Sequence, residues 1–132
     1  MLFTMKAVCE KTGMTYETLK FYCNQGLVPH VKRDAGNRRV FDERDVAWIE
    51  SLGCLKRCGL SIQEMRHYVQ LCLQGEASIP ERKKILAQKR QALVEQIAQL
   101  QGAVAYVDQK QAFYEDVLAG KRPYVSNLLP QE

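Results

Sequence analysis

The chain contains no apolar run approaching the roughly 20 residues of a membrane-spanning helix, and its N-terminus lacks the charged, apolar and small-residue regions of a secretory leader. These absences point to the cytoplasm, with no membrane partner and with thiols kept reduced. The five cysteines, an odd number without a Cys-x-x-Cys pair, then read as free thiols and exclude a disulfide framework. Histidine is scarce: His30 and His67 are scattered, and neither makes a Cys–His pair at useful spacing. No cysteine follows Cys72 and no glycine-rich phosphate loop is present. The expectation is therefore no enzyme, no catalytic residue, no metal and no cofactor. Proline is missing between Pro80 and Pro123, which leaves room for one very long helix. Internal repeats and low-complexity segments are also absent.

What is present is ordinary in amount and uneven in placement. A hydrophobic content of 46% and a charged content of 26% suit a folded protein, and 132 residues suffice for one domain plus an appendage. The net charge is +4. Residues 1–41 hold seven Lys/Arg against three acids, so the whole excess lies in the first third. A basic footprint confined to one module is what phosphate binding asks for.

Thr4 is placed to cap a first helix over Met5–Thr12, ended by Gly13, and Thr15 to cap a second over Tyr16–Gln25, ended by Gly26. Two short helices joined by Gly13-Met14 make a helix-turn-helix, whose second helix enters the major groove. Val31–Arg33 and Arg38–Phe41 pair as a hairpin across the turn Asp34-Ala35-Gly36-Asn37. Asp42 caps a third helix, Glu43–Cys58, and Ser61-Ile62-Gln63-Glu64 is a capping box opening a fourth that runs to about Gln74. Ser78-Ile79-Pro80-Glu81 reads as a second capping box, opening a helix over Ile79–Ala119.

Along that last helix, steps of four and three residues pass through Leu86, Arg90, Leu93, Ile97, Leu100, Val104, Val107, Gln111, Tyr114 and Leu118. Eight of these ten are apolar over more than four heptads, which is a coiled-coil seam. A lone helix about 60 Å long has nothing to bury such a stripe against, so a homodimer is expected. The fold class is all-α with a small β-hairpin wing: a winged helix-turn-helix followed by a long dimerisation helix.

The chain resembles the MerR family of transcriptional regulators. The residues that carry this are Thr18-Leu19-Lys20-Phe21-Tyr22, Gly26-Leu27-Val28-Pro29, Arg33, Gly36-Asn37-Arg38-Arg39-Val40-Phe41, Asp45-Val46 and Cys58-Gly59-Leu60-Ser61. Lys20, Cys23 and Phe41 depart from the family's usual Arg, Glu and Tyr, so Lys20 loses the bidentate fork and Phe41 the hydroxyl. The resemblance implies a DNA-binding domain over residues 1–75 and an antiparallel dimerisation coil over 78–119; the remaining 120–132, with two prolines and no period, reads as an irregular tail. It further implies a palindromic operator in double-stranded promoter DNA, distorted so that RNA polymerase engages both promoter elements. Trp48-Ile49-Glu50, Cys54-Leu55-Lys56 and Gln74-Gly75 are similar to the aldehyde-responsive, AdhR/NmlR-like branch, which implies electrophile sensing at Cys54.

Residue by residue, Lys20 and Tyr16 are the candidates for base edges, and Thr15, Thr18 and Tyr22 for phosphates. The two threonines also read as caps, and Tyr22 as core packing beside Phe21. Arg33, Arg38 and Arg39 are candidates for flanking backbone or minor groove, with at least one in a structural salt bridge because hairpin side chains alternate between faces. Cys54 reads either as a reactive thiol or as a small packed hydrophobe where the DNA-reading part meets the coil. Cys58, four residues on, shares its face but lacks further metal ligands. A regulator or architectural DNA-binding protein with no covalent effector, or with a metal or other small ligand, is the alternative.

Overall fold

The computed structural model describes residues 1–130; the last two residues of the tail expected over 120–132 lie outside the described residues. The element order is β1 (Phe3–Thr4), α1 (Met5–Thr12), α2 (Tyr16–Asn24), β2 (Lys32–Arg33), β3 (Arg39–Phe41), α3 (Glu43–Arg57), α4 (Ile62–Leu73), a 3-10 turn (Gly75–Ser78) and α5 (Ile79–Leu118). The fold is thus mostly helical with a small wing, as expected, and the helix ends fall within a residue of their expected places. Gln25, Cys58 and Gln74 are C-caps and not last helical residues.

The caps act as their chemistry dictates. Thr4 Oγ1 accepts from the Ala7 N–H at 3.1 Å and Thr15 Oγ1 from the Thr18 N–H at 3.2 Å, each satisfying an amide that lacks an intrahelical partner. Asp42 with Asp45, and Ser61 with Glu64, form reciprocal capping boxes at α3 and α4. The box expected at Ser78 does not form. Ser78 is buried in the 3-10 turn, where its hydroxyl is bonded to the Leu71 and Gly75 carbonyls and accepts from Arg82 Nε. The 3-10 turn supplies its own partner, Glu76 O, to the Ile79 N–H, so that end of α5 does not need the side chain.

The hairpin supplies two strands of a three-stranded antiparallel sheet in the order β1-β3-β2. Phe3 pairs with Phe41 and Thr4 with Val40 on one edge of β3; Lys32 pairs with Val40 and Arg33 with Arg39 on the other. The strands are shorter than expected, leaving Val31 and Arg38 outside them. Asp34 organises the turn: its Oδ1 accepts from the Gly36 and Arg38 amides, both at 2.9 Å, and Asn37 adopts φ 61°.

The chain divides into two compact units, Met1–Arg90 and Gln91–Glu132. In the first, Val8, Leu19, Leu27, Phe41, Ile49 and Met65 are fully buried in one core. Trp48, on its edge, donates its indole N–H to the Leu27 carbonyl at 2.7 Å. Lys89 meets the Glu64 carboxylate at 2.8 Å, binding the first turns of α5 to α4. In the second unit no helical residue is buried, and residues 121–130 form neither helix nor strand.

Two capping carboxylates are held at about pKa 2, Asp42 chiefly by the Asp45 N–H and then by Lys32, Glu64 chiefly by Lys89 and then by the Ser61 N–H. Their folded values lie below the ordinary 3.8 and 4.5, so both contribute stability that is present above those values and lost as pH falls toward 2. Glu64→Gln is expected to flatten the pH dependence of stability across that acid window. Denaturation midpoints for wild type and variant at about pH 6 and about pH 2.5 check this; an equal drop in both removes Glu64 from the acid response.

Candidate nucleic-acid interface

The face of α2 is set by its period. Leu19 is buried, while Tyr16 and Lys20, four residues apart, share an exposed face. Lys20 has no protein partner among the described residues. The Thr15 hydroxyl donates to Thr18 Oγ1 at 2.9 Å, so the two threonines cap the helix and brace each other. With these bonds made, Thr15 Oγ1 keeps one acceptor site, while Thr18 keeps its O–H donor, the group a phosphate needs.

Tyr22 sits in the core at 4% exposure, and burial pushes its phenol up from the ordinary value. The packing reading therefore describes its ring. Every fully buried side-chain oxygen and nitrogen among the described residues has a partner, and the Tyr22 hydroxyl has none, so that atom retains an opening to solvent. Only this tip remains for a phosphate.

The three wing arginines differ. Arg39 donates to Asn24 Oδ1 at 2.6 Å, clamping the wing to the end of α2, and Arg33 donates to the Asn37 carbonyl at 3.0 Å within the turn. Neither makes the expected salt bridge among the described residues. The wing's ion pair is instead Lys32 with Asp42, at 3.0 Å. The reason is local: Asp34, the acid in the turn, has its Oδ1 engaged by backbone amides. Arg38 is exposed and its guanidinium has no protein partner among the described residues.

A cleft of about 470 Å³ lies between these pieces, walled by Thr4 to Lys6 at the start of α1, by Tyr16 at the start of α2, and by wing residues including Arg33, Arg38 and Arg39. The sequence reading placed the contacts on the second helix and the wing and missed Lys6. The pairing of β1 with β3 carries the start of α1 to the wing, and a two-residue strand has no periodicity to read.

Cys54 is exposed on α3, and Arg57 Nη2 donates to its sulfur at 3.2 Å. Within the chain, then, the Cys54 side chain lies on the surface and not in the core. Cys58 is half-buried against the core. Burial pushes the thiols of Cys9, Cys23 and Cys72 up.

Comparison with known proteins agrees with this geometry. The family model for the MerR HTH family regulatory protein matches residues 3–72, and one described as MerR, DNA binding matches residues 46–110. The chain is 41% identical over 88 residues to the HTH-type transcriptional regulator AdhR of Bacillus subtilis, covering 67% of this chain and 63% of that protein. It therefore spans just under two thirds of the length of that relative. To an HTH-type transcriptional regulator of Haemophilus influenzae it is 32% identical over 119 residues, covering 90% of this chain and 88% of the other. Its structure is similar to that of HiNmlR, a MerR family regulator lacking the sensor domain and bound to promoter DNA, with a TM-score of 0.78, 32% identity and 90% of each chain covered. A MerR family regulator from Listeria monocytogenes gives a TM-score of 0.78 at 30% identity, with 89% of each chain covered.

The exposed Lys20 and the unengaged wing residue Arg38 yield a graded expectation. Lys20→Ala should lose discrimination between specific and scrambled duplexes, a good base contact being worth roughly 1–3 kcal/mol, whereas Arg38→Ala should weaken both duplexes alike. Affinities at several salt concentrations separate the two. Equal losses on both duplexes for Lys20→Ala would make it a phosphate contact.

Proposed function

Because the chain belongs to the MerR family of helix-turn-helix regulators, we propose that it is a homodimeric transcriptional regulator that binds a palindromic promoter operator and is switched by aldehydes or related electrophiles at Cys54. The observation that carries the DNA-binding part is the pair Lys20, on the exposed face of α2, and Arg38, on the wing, both without a protein partner among the described residues, with Tyr16 of that α2 face and the wing arginines lining one cleft. Promoter distortion that lets RNA polymerase engage both promoter elements is the mode of action in this reading, and the cytoplasm its setting. In free DNA, deformation energy makes such a dimer's two states bind with different strength.

Dimerisation is supported by the seam of α5. None of its residues is buried, and Leu100, at its middle, is 67% exposed. The seam positions are also symmetric about Gly102: Leu86 mirrors Leu118, Ile97 mirrors Val107, and Leu100 mirrors Val104. Two copies running antiparallel about that point bury apolar side chains against each other in those layers.

For the switch, the supporting observation is an exposed sulfur, open to an electrophile, with a guanidinium donor beside it. The thiol adds to an aldehyde carbonyl: an S–C bond forms, the carbonyl π pair moves to oxygen, and that oxygen takes the thiol proton to give a hemithioacetal. No further reactant is needed. The adduct competes with Arg57 for the space at the sulfur and so changes the end of α3. A near-complete switch between two dimer states requires about 5.5 kcal/mol of differential stabilisation, to which two Cys54 sites contribute.

Leu100→Pro is expected to yield monomers by sedimentation and to lose operator binding, since an interior proline costs a helix about 3 kcal/mol or more. A stable operator-binding dimer from that variant contradicts the coil. Cys54→Ser is expected to keep operator binding and lose the promoter response to aldehydes, while Cys58→Ser keeps at least part of it. An intact response in Cys54→Ser, with the adduct found elsewhere by mass spectrometry, favours a regulator with another input.

A further inference from the structure

We propose that the cleft between the start of α1, Tyr16 and the wing turn is an anchorage for one DNA strand, with Lys6 as a backbone-phosphate ligand acting alongside Arg38. The inference rests on the DNA-binding reading above and adds to it a helix that does not itself read bases.

Four cations line the cleft, Lys6, Arg33, Arg38 and Arg39, against the single acid Asp34. The acid is already engaged by the Gly36 and Arg38 amides. Arg33 is held by the Asn37 carbonyl and Arg39 by Asn24. That leaves Lys6, from α1, and Arg38, from the wing, with no protein partner among the described residues. Lys6 has no structural reason to be cationic. It lies in the first turn of α1, where the helix dipole disfavours positive charge, and no acidic residue in that turn offsets it. It is exposed, so it supports no core. The occupant follows from the surroundings. Tyr16 at the cleft also belongs to the α2 face that carries Lys20, so the cleft is continuous with the base-reading surface. A polyanion lying along that surface brings a phosphate to the cleft, and the duplex backbone is such a polyanion.

The test compares wild type, Lys6→Gln, Lys6→Arg and Lys11→Gln as full chains, each binding its selected operator and an unrelated duplex over a range of salt. Lys11 is the control: a lysine in the same helix, set over the Phe3 ring and outside the cleft. For Lys6→Gln the expected result is a similar fold-loss on both duplexes, with a salt slope reduced by about 0.9, the value for one phosphate contact. Lys6→Arg restores the slope, and Lys11→Gln leaves it near wild type. An unchanged slope in Lys6→Gln overturns the proposal, as does an equal change in Lys11→Gln, which makes the effect one of bulk charge. A loss confined to the operator also overturns it, by making Lys6 a base contact. Absence of duplex binding by wild type overturns the DNA-binding reading itself, a different failure from a binding wild type indifferent to Lys6.

Discussion

The burial of Phe41 is the contact on which the reading surface depends. Its side chain is fully buried although its strand, β3, has only three residues. Such a strand gains little from its own ladder, and an isolated two-stranded hairpin is marginal in water. What holds β3 is the shared core with Leu19 of α2 and Ile49 of α3, and removing such an aromatic typically costs about 3–5 kcal/mol. That is a large part of the roughly 5–15 kcal/mol that keeps an ordinary domain folded. The Trp48–Leu27 and Arg39–Asn24 hydrogen bonds lie around this contact and fix the segment after α2 and the angle of the wing. The departure from the family's tyrosine at this position is consistent with its place: a buried ring without a hydroxyl leaves no polar atom to satisfy.

From that fixed frame follows a division of labour among the cations. Side chains pointing at the protein, Arg33, Arg39 and Lys32, are spent on holding the wing. Those with no protein partner among the described residues, Lys20, Arg38 and Lys6, are exposed and stay available to an external anion. Preorganisation of this kind matters more for specificity than for bulk attraction, because every ordered side chain is one less to be immobilised on binding.

Much of this was legible in the sequence because helix caps are local. Thr4, Thr15, Asp42 and Ser61 each cap the helix they precede, needing only residues within a turn of themselves. Ser78 shows the limit. The same local pattern is overridden by a 3-10 turn and by Arg82 a full turn later. The third strand escaped because Phe3 and Thr4 pair with residues nearly forty positions away, and two residues carry no alternation. Lys6 escaped for the same reason. The partner of Arg39 is the neutral Asn24 and not an acid, so charge patterning gave no hint of it. Whether Cys54 was packed or open depended on tertiary contacts that the spacing to Cys58 leaves undetermined.

The long helix couples this surface to symmetry. Three layers of the proposed seam map onto one another about Gly102, as a two-fold assembly requires, and such an assembly would read a two-fold sequence. The most direct measurement is hydroxyl-radical footprinting of the full chain on the tightest duplex selected from a random pool. The account predicts two protected half-sites related by a two-fold axis, spaced by about 34–36 Å or a multiple of it. Each should be flanked by backbone protection from its wing. A single unsymmetrical protected patch, or protection indifferent to duplex sequence, would contradict it.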